Sequence, residues 1–519
     1  MIAIVKSTAL SGLDGQIVEV EVDVSRGLPG FDIVGLPDIS VREAKDRVRT
    51  AIKNSGFEFP VKRITVNLAP ADLKKEGPVY DLPIAVGILA ATAQLPPERF
   101  QHYVYLGELS LNGSLRGVTG VLPNVLAVRE AALRQVVVPV ENAKEAALVE
   151  GLDVFPTSCL DELAAFLRGE NEIAPYRLNL AELQKQPEEG AFDFEDVKGQ
   201  QTAKRCLEVA AAGGHNVIMI GSPGSGKTML ARSLPGILPD LTFQESIDVT
   251  KIHSLAGLLP ANQPLLTRRP FRSPHHTAST VSIIGGGRIP KPGEVSLAHH
   301  GVLFLDEMPE FHKDTLEALR QPLEDGVVTI SRINASLTYP ARLMLVGALN
   351  PCPCGYYGDP VRECSCSPLQ IQRYISRLSG PLLDRVDLHI QVPRLPYKDI
   401  SQQPKGESSR GIKNRVEQAR DIQRQRFAME KQTGGPRSKT SSVTCNAGMG
   451  PREVRLYCKL HKNAKALMKD AFGRLNLSAR SYDRILKVSR TIADLAGTNL
   501  IEEGHVAEAL QYRSMDNLS

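Results

Sequence analysis

Apolar and polar positions alternate in short runs along the first part of the chain. Ile17 to Val24 (IVEVEVDV) and Arg63 to Leu68 have the period of two that half-buried strands require, whereas Val41 to Asn54 carries apolar residues at helical spacing. Residues 1–168 are therefore predicted to form a mixed α/β domain. A polar stretch rich in Glu, Gln and Pro follows, so we expect a linker over residues 169–190.

Two further segments follow that linker. Residues 191–396 alternate short apolar runs with helical patterns, which predicts an α/β domain built on a parallel sheet. A second polar stretch predicts a linker over residues 397–411. Ile412 to Ala428 and Ser478 to Ala496 then repeat apolar residues every three or four positions with Arg and Lys between them, so residues 412–519 are predicted to be helical.

Composition adds little to this pattern. The chain has 519 residues, of which 42% are hydrophobic and 23% charged, as in ordinary globular proteins with several domains. A net charge of +4 is too small to indicate a nucleic-acid partner by itself. No apolar run reaches the roughly 18 residues needed to span a bilayer, and the first residues do not resemble a signal peptide. We therefore expect a cytoplasmic protein without a membrane partner.

A phosphate-binding loop is the clearest chemical motif. Gly221 to Thr228 reads GSPGSGKT and lies between the apolar run Val217 to Ile220 and a helical pattern that starts at Met229. In such a loop the glycines turn backbone N–H groups towards phosphate oxygens and the helix N-terminus faces the phosphates, while Lys227 reaches the β- and γ-phosphates and Thr228 binds Mg²⁺. The alternative, an ordinary glycine-rich turn, does not account for the complete match. ATP and Mg²⁺ are the expected ligands, and the predicted nucleotide-binding residues are Gly221, Ser222, Pro223, Gly224, Ser225, Gly226, Lys227, Thr228 and Met229.

Polar residues follow two more apolar runs. Gly301 to Leu305 ends in Asp306, predicted to hold Mg²⁺, and Glu307, predicted to act as general base towards the attacking water. The run Leu343 to Ala348 is followed closely by Asn350, whose amide would orient water beside the γ-phosphate. The alternatives are a helix cap for the acidic pair and a turn for the asparagine. Their position downstream of the phosphate loop favours hydrolysis of ATP.

With these motifs in this order, the sequence resembles the AAA+ superfamily. The block Phe271 to Glu310, which contains FRSPHHTAS, SIIGGG and PKPGEVSLAHHGVLFLDEMPE, resembles the ComM/YifB family of magnesium-chelatase-related proteins. The resemblance covers essentially the whole chain. It implies that Arg385, in SGPLLDRVDLH, is an arginine finger given to a neighbouring subunit, although an ion pair with Asp384 or Asp387 is an alternative role. It also implies a sensor 2 arginine in the helical lid, at Arg480 or, one turn on, at Arg484.

The resemblance further implies two projections into the pore of a ring. These are an insert over residues 255–298, whose Gly, Pro, Ser and His content is not expected to build a core, and a hairpin over residues 327–341. Arg288, Lys291 and Arg332 would there contact DNA phosphates without reading bases, the alternative being ordinary surface cations. Cations of the lid would suit a DNA-facing surface or a solvated helix face: Arg415, Arg420, Arg424, Arg426, Lys465, Lys469 and Arg474.

Family membership implies a function that the motifs alone do not. The motifs alone support a ring ATPase acting on some polymer, whereas ComM-like proteins are implied to be homohexameric DNA helicases. Such a helicase drives branch migration in homologous recombination during natural transformation, with single- and double-stranded DNA in the pore and recombination proteins as partners. A rival function is an ATP-driven metal insertase or protein remodeller of the magnesium-chelatase motor type. A scaffold that binds ATP without hydrolysing it is disfavoured by the intact Lys227, Asp306, Glu307 and Asn350.

The first segment also resembles the Ser-Lys protease domain of Lon, through Asn67 to Leu82 and Gly107 to Leu126. The position of the nucleophilic serine, after Gly-Pro, is taken by Val79, and the position of the lysine base falls on Asn124. Neither side chain can perform covalent catalysis. Residues 1–168 are therefore expected to form a catalytically inactive Lon-like domain with a structural or interaction role.

Four cysteines lie close together in the sequence. Cys352 and Cys354 are separated from Cys364 and Cys366 by nine residues rich in turn formers, so two short arms can close around one ion. Four thiolates favour tetrahedral Zn²⁺ without an open position for water. We expect a structural zinc knuckle over residues 352–366, the alternative being reduced or paired thiols.

Overall fold

The computed structural model describes residues 2–178, 192–260, 263–287, 290–332, 335–396, 406–432, 443–475 and 477–513. The chain forms two compact units that do not follow the order of the predicted segments. The first unit contains the N-terminal segment together with Thr242–Thr267 and Ser331–Tyr339, and the second contains the remainder. Two stretches of the predicted ATPase segment thus belong to the N-terminal unit.

The strands of the described chain are β1 (Ile2–Ser11), β2 (Asp14–Ser25), β3 (Gly30–Val34), β4 (Arg63–Ala69), β5 (Tyr103–Tyr105), β6 (Glu108–Leu109), β7 (Leu115–Arg116), β8 (Gln135–Pro139), β9 (Asp153–Thr157), β10 (Val217–Ile220), β11 (Phe271–Arg272), β12 (Gly285–Gly286), β13 (Lys291–Pro292), β14 (Val302–Leu305), β15 (Val327–Arg332), β16 (Ala335–Pro340), β17 (Met344–Leu349) and β18 (Leu388–Gln391).

Its α-helices are α1 (Ile39–Asn54), α2 (Asp81–Ala91), α3 (Pro97–Phe100), α4 (Val121–Glu130), α5 (Ala143–Ala146), α6 (Leu160–Arg168), α7 (Gln201–Gly213), α8 (Lys227–Ser233), α9 (Phe243–Ala256), α10 (Thr280–Ile284), α11 (Glu294–Leu297), α12 (Lys313–Ala318), α13 (Arg320–Asp325), α14 (Pro368–Ile375), α15 (Gly380–Leu383), α16 (Ser409–Gln432), α17 (Pro451–Tyr457), α18 (Lys462–Arg474), α19 (Ala479–Leu495) and α20 (Glu503–Gln511).

The first unit is built on a mixed sheet whose described strands have the order β3-β4-β2-β1-β5-β8-β9. Strands β1 and β2 pair antiparallel along their whole length, from Ile2 opposite Asp23 to Ser11 opposite Asp14. The predicted alternation in β2 and β4 is confirmed, because one face of each strand enters the core. The predicted helix α1 is confirmed too, and the Asp38 carboxylate caps it by accepting from Val41 N at 2.8 Å.

The chain remains part of the first unit beyond α6. Tyr176 N donates to Val154 O at 2.7 Å, so the beginning of the predicted linker adds a bridge to β9. Helix α9 also belongs to this unit, where Gly120 N donates to Ser254 O at 3.2 Å. Sequence periodicity did not reveal either attachment, because each joins segments that are distant in the chain.

The second unit contains the predicted parallel sheet. Its described strands have the order β11-β14-β17-β10-β18, and every neighbouring pair is parallel. All residues of β10, β14 and β17 are buried, as expected where helices cover both faces of a sheet. Because the strands are parallel, the loops after β10, β14 and β17 leave the same edge of the sheet. This edge carries the predicted nucleotide site.

The insert between α9 and β14 is more structured than its composition suggested. It contributes β11, which pairs parallel to β14, and the small β12–β13 hairpin. Ile283 and Val295 are buried, and Arg272 forms a bidentate ion pair with Glu294 at 2.6 and 2.8 Å. The expectation that this insert builds no core is wrong, because short helices between its glycines bury their apolar residues. The predicted hairpin over residues 327–341 is confirmed as β15 and β16.

The predicted helical C-terminal region is confirmed as α16 to α20. Most of the cations assigned to a DNA-facing lid are instead engaged within the protein. Arg415 binds Glu208 at 2.6 Å as well as Glu407, and Arg420 donates to Ala211 O at 3.1 Å. The remaining pairs among these cations are Arg424 with Asp421, Arg426 with Asp494, and Arg474 with Asp470. The lid interpretation was wrong for Arg415, Arg420 and Arg426, whose guanidinium groups hold helices together.

Among the residues that the structure describes, no helix combines the length and the apolar character needed to cross a membrane.

Candidate functional site

The phosphate loop joins the buried strand β10 to helix α8. The helix begins at Lys227, two residues earlier than the pattern predicted. Gly224 and Gly226 have φ angles of +78° and +94°, a backbone conformation that side chains disfavour. A Cβ at Gly221 would lie 2.1 Å from Val392 O, so only glycine fits where the loop passes β18. The glycine positions of the motif are thus required by the local geometry.

The side chain of Lys227 contacts the phosphate loop. Its ammonium donates to Gly221 O at 2.6 Å, to Ser222 O at 3.1 Å and to the Asn350 side-chain oxygen at 3.2 Å. Burial lowers the pKa of Lys227, while the nearby carboxylates of Asp306 and Glu307 act in the opposite direction. Lys227 and Asn350, which are far apart in sequence, therefore meet at one edge of the sheet.

The two predicted Mg²⁺ ligands are also adjacent. The Thr228 hydroxyl donates to Asp306 Oδ2 at 2.8 Å, so a hydroxyl and a carboxylate oxygen converge at the loop. These are the hard oxygen donors that Mg²⁺ prefers, and the donor set fits the ion. Glu307 follows with a φ of +50°, and its N–H donates to Asp306 Oδ1 at 3.0 Å. A positive φ at a residue other than glycine is strained, and such strain is often found at functional sites.

Two residues near the site had no predicted role. Nδ1 of His276 lies 3.5 Å from Glu307 Oε2, so a histidine of the insert touches the predicted general base. Asn216, directly before β10, accepts from Leu345 N at 2.8 Å and donates to Arg385 O at 2.9 Å. The sequence signals were a His-His pair in the motif block and a polar residue at the start of a buried strand, and neither is specific enough to assign a role.

Arg385, the predicted arginine finger, has a partner in its own subunit. Its guanidinium contacts Glu324 and donates to Pro381 O at 2.6 Å. Arg385 holds the pKa of the Glu324 carboxyl below its usual range. The alternative pairing with Asp384 or Asp387 was wrong, because Asp387 is bound by His215 at 3.0 Å and by Arg484 at 3.3 Å.

The lid helix α19 carries both candidate sensor 2 arginines. Arg484 is largely buried against Asp387, and burial lowers its pKa. Burial alone would raise the pKa of Asp387, but the hydrogen bond from His215 and the charges of His215 and Arg484 hold it at about 2. Arg480 is exposed, and its charge contributes to the lowered pKa of Glu324, the carboxyl that Arg385 binds.

The four predicted zinc ligands converge. Their sulfur atoms all lie within 4.8 Å of one another, and Cys352 Sγ is 3.3 Å from Cys354 Sγ and 3.6 Å from Cys364 Sγ. A tetrahedron with Zn–S bonds of about 2.3 Å has sulfurs about 3.8 Å apart, so the arrangement fits zinc. All four thiols are free, and the sulfurs are too far apart for the roughly 2.05 Å bond of a disulfide.

The remaining predicted residues are placed as follows. Lys291 is exposed in β13, where it pairs with Gly286 in the small hairpin. Arg332 ends β15, and Arg288 lies outside the described residues. In the first unit, Val79 packs against the apolar core, and the Asn124 amide donates to Gly120 O at 2.8 Å inside α4. Neither position offers a nucleophile or a base.

Known protein families match this chain in three blocks. Residues 193–400 match the family described as magnesium chelatase, subunit ChlI, and residues 406–513 match the C-terminal part of the same subunit. Residues 20–142 match the family described as subunit ChlI of Mg-chelatase. The catalytic motifs lie in the first of these blocks, and the helical lid in the second.

Individual relatives extend the match to the whole chain. Competence protein ComM of Haemophilus influenzae is 45% identical over 520 residues, covering 100% of this chain and 98% of the relative. The protein YifB of Salmonella typhimurium is 46% identical over 519 residues, with the same coverage. A magnesium-chelatase 67 kDa subunit of Chlorobaculum tepidum is 29% identical over 164 residues, which cover 30% of this chain and 23% of that subunit. With full-length identity of this degree, the chain belongs to the ComM/YifB family of magnesium-chelatase-related AAA+ proteins.

Proposed function

We propose that this protein is a homohexameric ATPase that translocates on DNA and drives branch migration during homologous recombination, as in natural transformation. One observation carries the proposal. The side chains needed for ATP hydrolysis meet at one sheet edge, through the contacts of Lys227 with Asn350 and of Thr228 with Asp306. They do so in a chain 45% identical, over its full length, to a relative named as a competence protein. Competence is the capacity of a cell to take up DNA, so DNA is the polymer on which we propose that this ATPase acts.

Hydrolysis assigns a task to each side chain of this edge. Lys227 exchanges its bonds to the loop carbonyls for bonds to the β- and γ-phosphates, and Thr228 and Asp306 hold Mg²⁺. Bound Mg²⁺ neutralises charge on the phosphate oxygens. Glu307 accepts the proton of the attacking water, and the Asn350 amide orients that water.

Completion of the site requires a cation opposite the γ-phosphate. Arg385 of a neighbouring subunit supplies it in this proposal, after exchanging its contact with Glu324 for the phosphate. A ring provides such an arrangement at every interface, because each subunit then gives its arginine to the next one. The proposed partners are therefore other copies of this chain, DNA in the pore and recombination proteins, in the cytoplasm.

Contact with DNA is assigned to the two hairpins. The β12–β13 hairpin carries the exposed Lys291, Arg288 precedes it by three residues in the sequence, and Arg332 ends β15 in the other hairpin. Lysine and arginine on hairpins can bind phosphates without reading bases, as movement along any sequence requires. This part of the proposal is supported by the positions of Lys291 and Arg332 and by the charge of all three residues.

The direct test is ATP hydrolysis with and without single-stranded DNA at low salt. DNA is expected to stimulate hydrolysis, and the stimulation should decrease as salt increases, because phosphate contacts release counterions. Lys227→Ala should abolish turnover with and without DNA, whereas turnover that persisted would place hydrolysis at another site. Absence of stimulation at low salt would count against the helicase.

A second candidate function is an ATP-driven metal insertase or protein remodeller of the magnesium-chelatase motor type. It is favoured by the three matching families, all of which carry the magnesium-chelatase name. It requires ATP hydrolysis that responds to a protein partner and is insensitive to DNA. The same assay therefore separates the two candidates.

A further inference from the structure

The loop that carries the four cysteines has almost no core of its own. Of residues 352–366, all of which the structure describes, only Cys352 and Gly355 are buried. Its large apolar side chains face solvent, with Val361 74% and Tyr357 49% exposed. Hydrophobic burial therefore contributes little to the order of this loop, and a metal bound by four thiolates can supply it.

Hydrogen bonds inside the loop pre-arrange the thiols. Cys354 N donates to Cys366 Sγ at 3.4 Å, and Tyr357 N donates to Cys352 Sγ at 3.3 Å. One arm thus contacts the other even without hydrophobic packing.

This loop touches the phosphate loop. A Cβ built on Gly355 would lie 2.7 Å from Cδ and Cγ of Pro223, so the backbone of the cysteine loop packs against the proline ring of the phosphate loop as closely as glycine allows. The cysteine loop also starts two residues after Asn350, which binds Lys227.

We propose that zinc bound by Cys352, Cys354, Cys364 and Cys366 fixes the cysteine loop against Pro223, and so holds the phosphate loop in its nucleotide-binding conformation. The affinity for nucleotide then depends on zinc, although the metal takes no part in the reaction. The inference rests on the proposed function only in that nucleotide binds at the phosphate loop. It does not require DNA.

Two glycines of the cysteine loop provide a matched pair for the test. Gly355 and Gly358 have φ angles of +85° and +76°, so alanine causes similar backbone strain at both. Alanine at Gly355 meets the Pro223 ring, whereas a Cβ at Gly358 has no atom within 4 Å. Any difference between the two variants therefore reports the contact with the phosphate loop.

The measurements are zinc per chain and the Kd of a fluorescent ATP analogue in Mg²⁺ buffer, both without DNA. The wild type and both variants are expected to hold about one zinc per chain, in line with a four-thiolate site. Gly355→Ala should bind the analogue about tenfold more weakly than Gly358→Ala, a difference of about 1.4 kcal/mol. Equal affinities in the two variants would overturn the proposal, as would less than half an equivalent of zinc in the wild type.

Cysteine variants test the metal directly. Cys364→Ser and Cys366→Ser, each compared with Cys159→Ser outside the loop, should lose zinc and weaken binding of the analogue in parallel. Loss of zinc with an unchanged Kd would sink the proposal. If these variants do not fold, the glycine pair still decides.

Failure of this inference is distinguishable from failure of the proposed function. A wild type that binds the analogue but is not stimulated by DNA contradicts the helicase and leaves the zinc inference standing. Stimulation by DNA together with equal affinities in the glycine pair supports the helicase and contradicts the zinc inference. Lys227→Ala, which should lose binding of the analogue, verifies that the measured site is the phosphate loop.

Discussion

At the scale of residues, Arg480 and Arg484 lie one turn apart on α19 but in different environments. Arg484 is bound by the buried Asp387, whereas Arg480 is exposed. An arginine that must reach a phosphate has to be free to leave its partner, so Arg480 is the better sensor 2 candidate. Arg484 is better placed to stabilise the fold.

Separate substitutions should split these two roles. Arg480→Ala is expected to lower kcat about a hundredfold, as does loss of one charge-stabilising donor, with an unchanged thermal midpoint. Arg484→Ala is expected to reduce the free energy of unfolding by about 2 kcal/mol, because Asp387 then loses one of its charged hydrogen-bond donors. Steady-state hydrolysis and thermal unfolding of both variants check the assignment, and the opposite pattern would exchange the roles.

The sequence predicted those site residues that lie together in a motif. Gly221 to Thr228 is one continuous loop, and Asp306 and Glu307 directly follow an apolar strand, so local patterns were sufficient. The pairing of Arg385 with Glu324 joins residues 61 positions apart, and Asn216 reaches Arg385 across 169 positions. Such contacts depend on how the sheet orders its strands, which no local pattern contains.

At the scale of elements, the buried strands β10, β14 and β17 were predictable because each is a short apolar run closely followed by a glycine or a polar residue. Strand β11 was not predicted, since two residues between prolines and arginines give no periodic signal. Helix α9 lies within the predicted ATPase segment but belongs to the first unit. A local apolar pattern does not show which core a helix joins.

The entry to β14 carries a buried histidine that should make the second unit sensitive to acid. Burial, with smaller contributions from His300 and Arg342, lowers the pKa of His299 to about 2, and its Nδ1 accepts from Arg342 N at 3.0 Å. In the unfolded chain a histidine has a pKa of about 6.5, so between these values the unfolded state binds a proton that the folded state does not. Stability is therefore complete above about pH 6.5 and decreases as the pH falls below it.

Because of His299, the free energy of unfolding should decrease by about 1 kcal/mol between pH 7 and pH 5.5. His299→Gln, which retains an oxygen to accept from Arg342 N, is expected to reduce the loss of stability over this range by that amount. Thermal or urea unfolding at the two pH values measures it. The exposed His102→Gln is the matched control and should behave as the wild type. An equal loss in His299→Gln would show that the histidine is not buried in its neutral form.

At the scale of the whole molecule, each chain contains a phosphate loop and an arginine that need different partners. Lys227, Thr228 and Asp306 meet within one chain, whereas Arg385 is bound to Glu324 in the described conformation. If the arginine acts in trans, a head-to-tail ring supplies one Arg385 to every phosphate loop. Loss of Lys227 then removes the nucleotide-binding side of an interface, whereas loss of Arg385 removes its arginine side.

Mixing two inactive variants tests this arrangement. Lys227→Ala removes the nucleotide site and keeps the arginine, while Arg385→Ala removes the arginine and keeps the site, so each alone should be inactive. In an equimolar mixture with random assembly, about one interface in four pairs an intact site with an intact arginine. ATP hydrolysis should therefore recover on mixing and depend on the ratio of the variants. If Arg385 acted on the nucleotide of its own subunit, no ratio would restore activity, because no subunit would contain both residues.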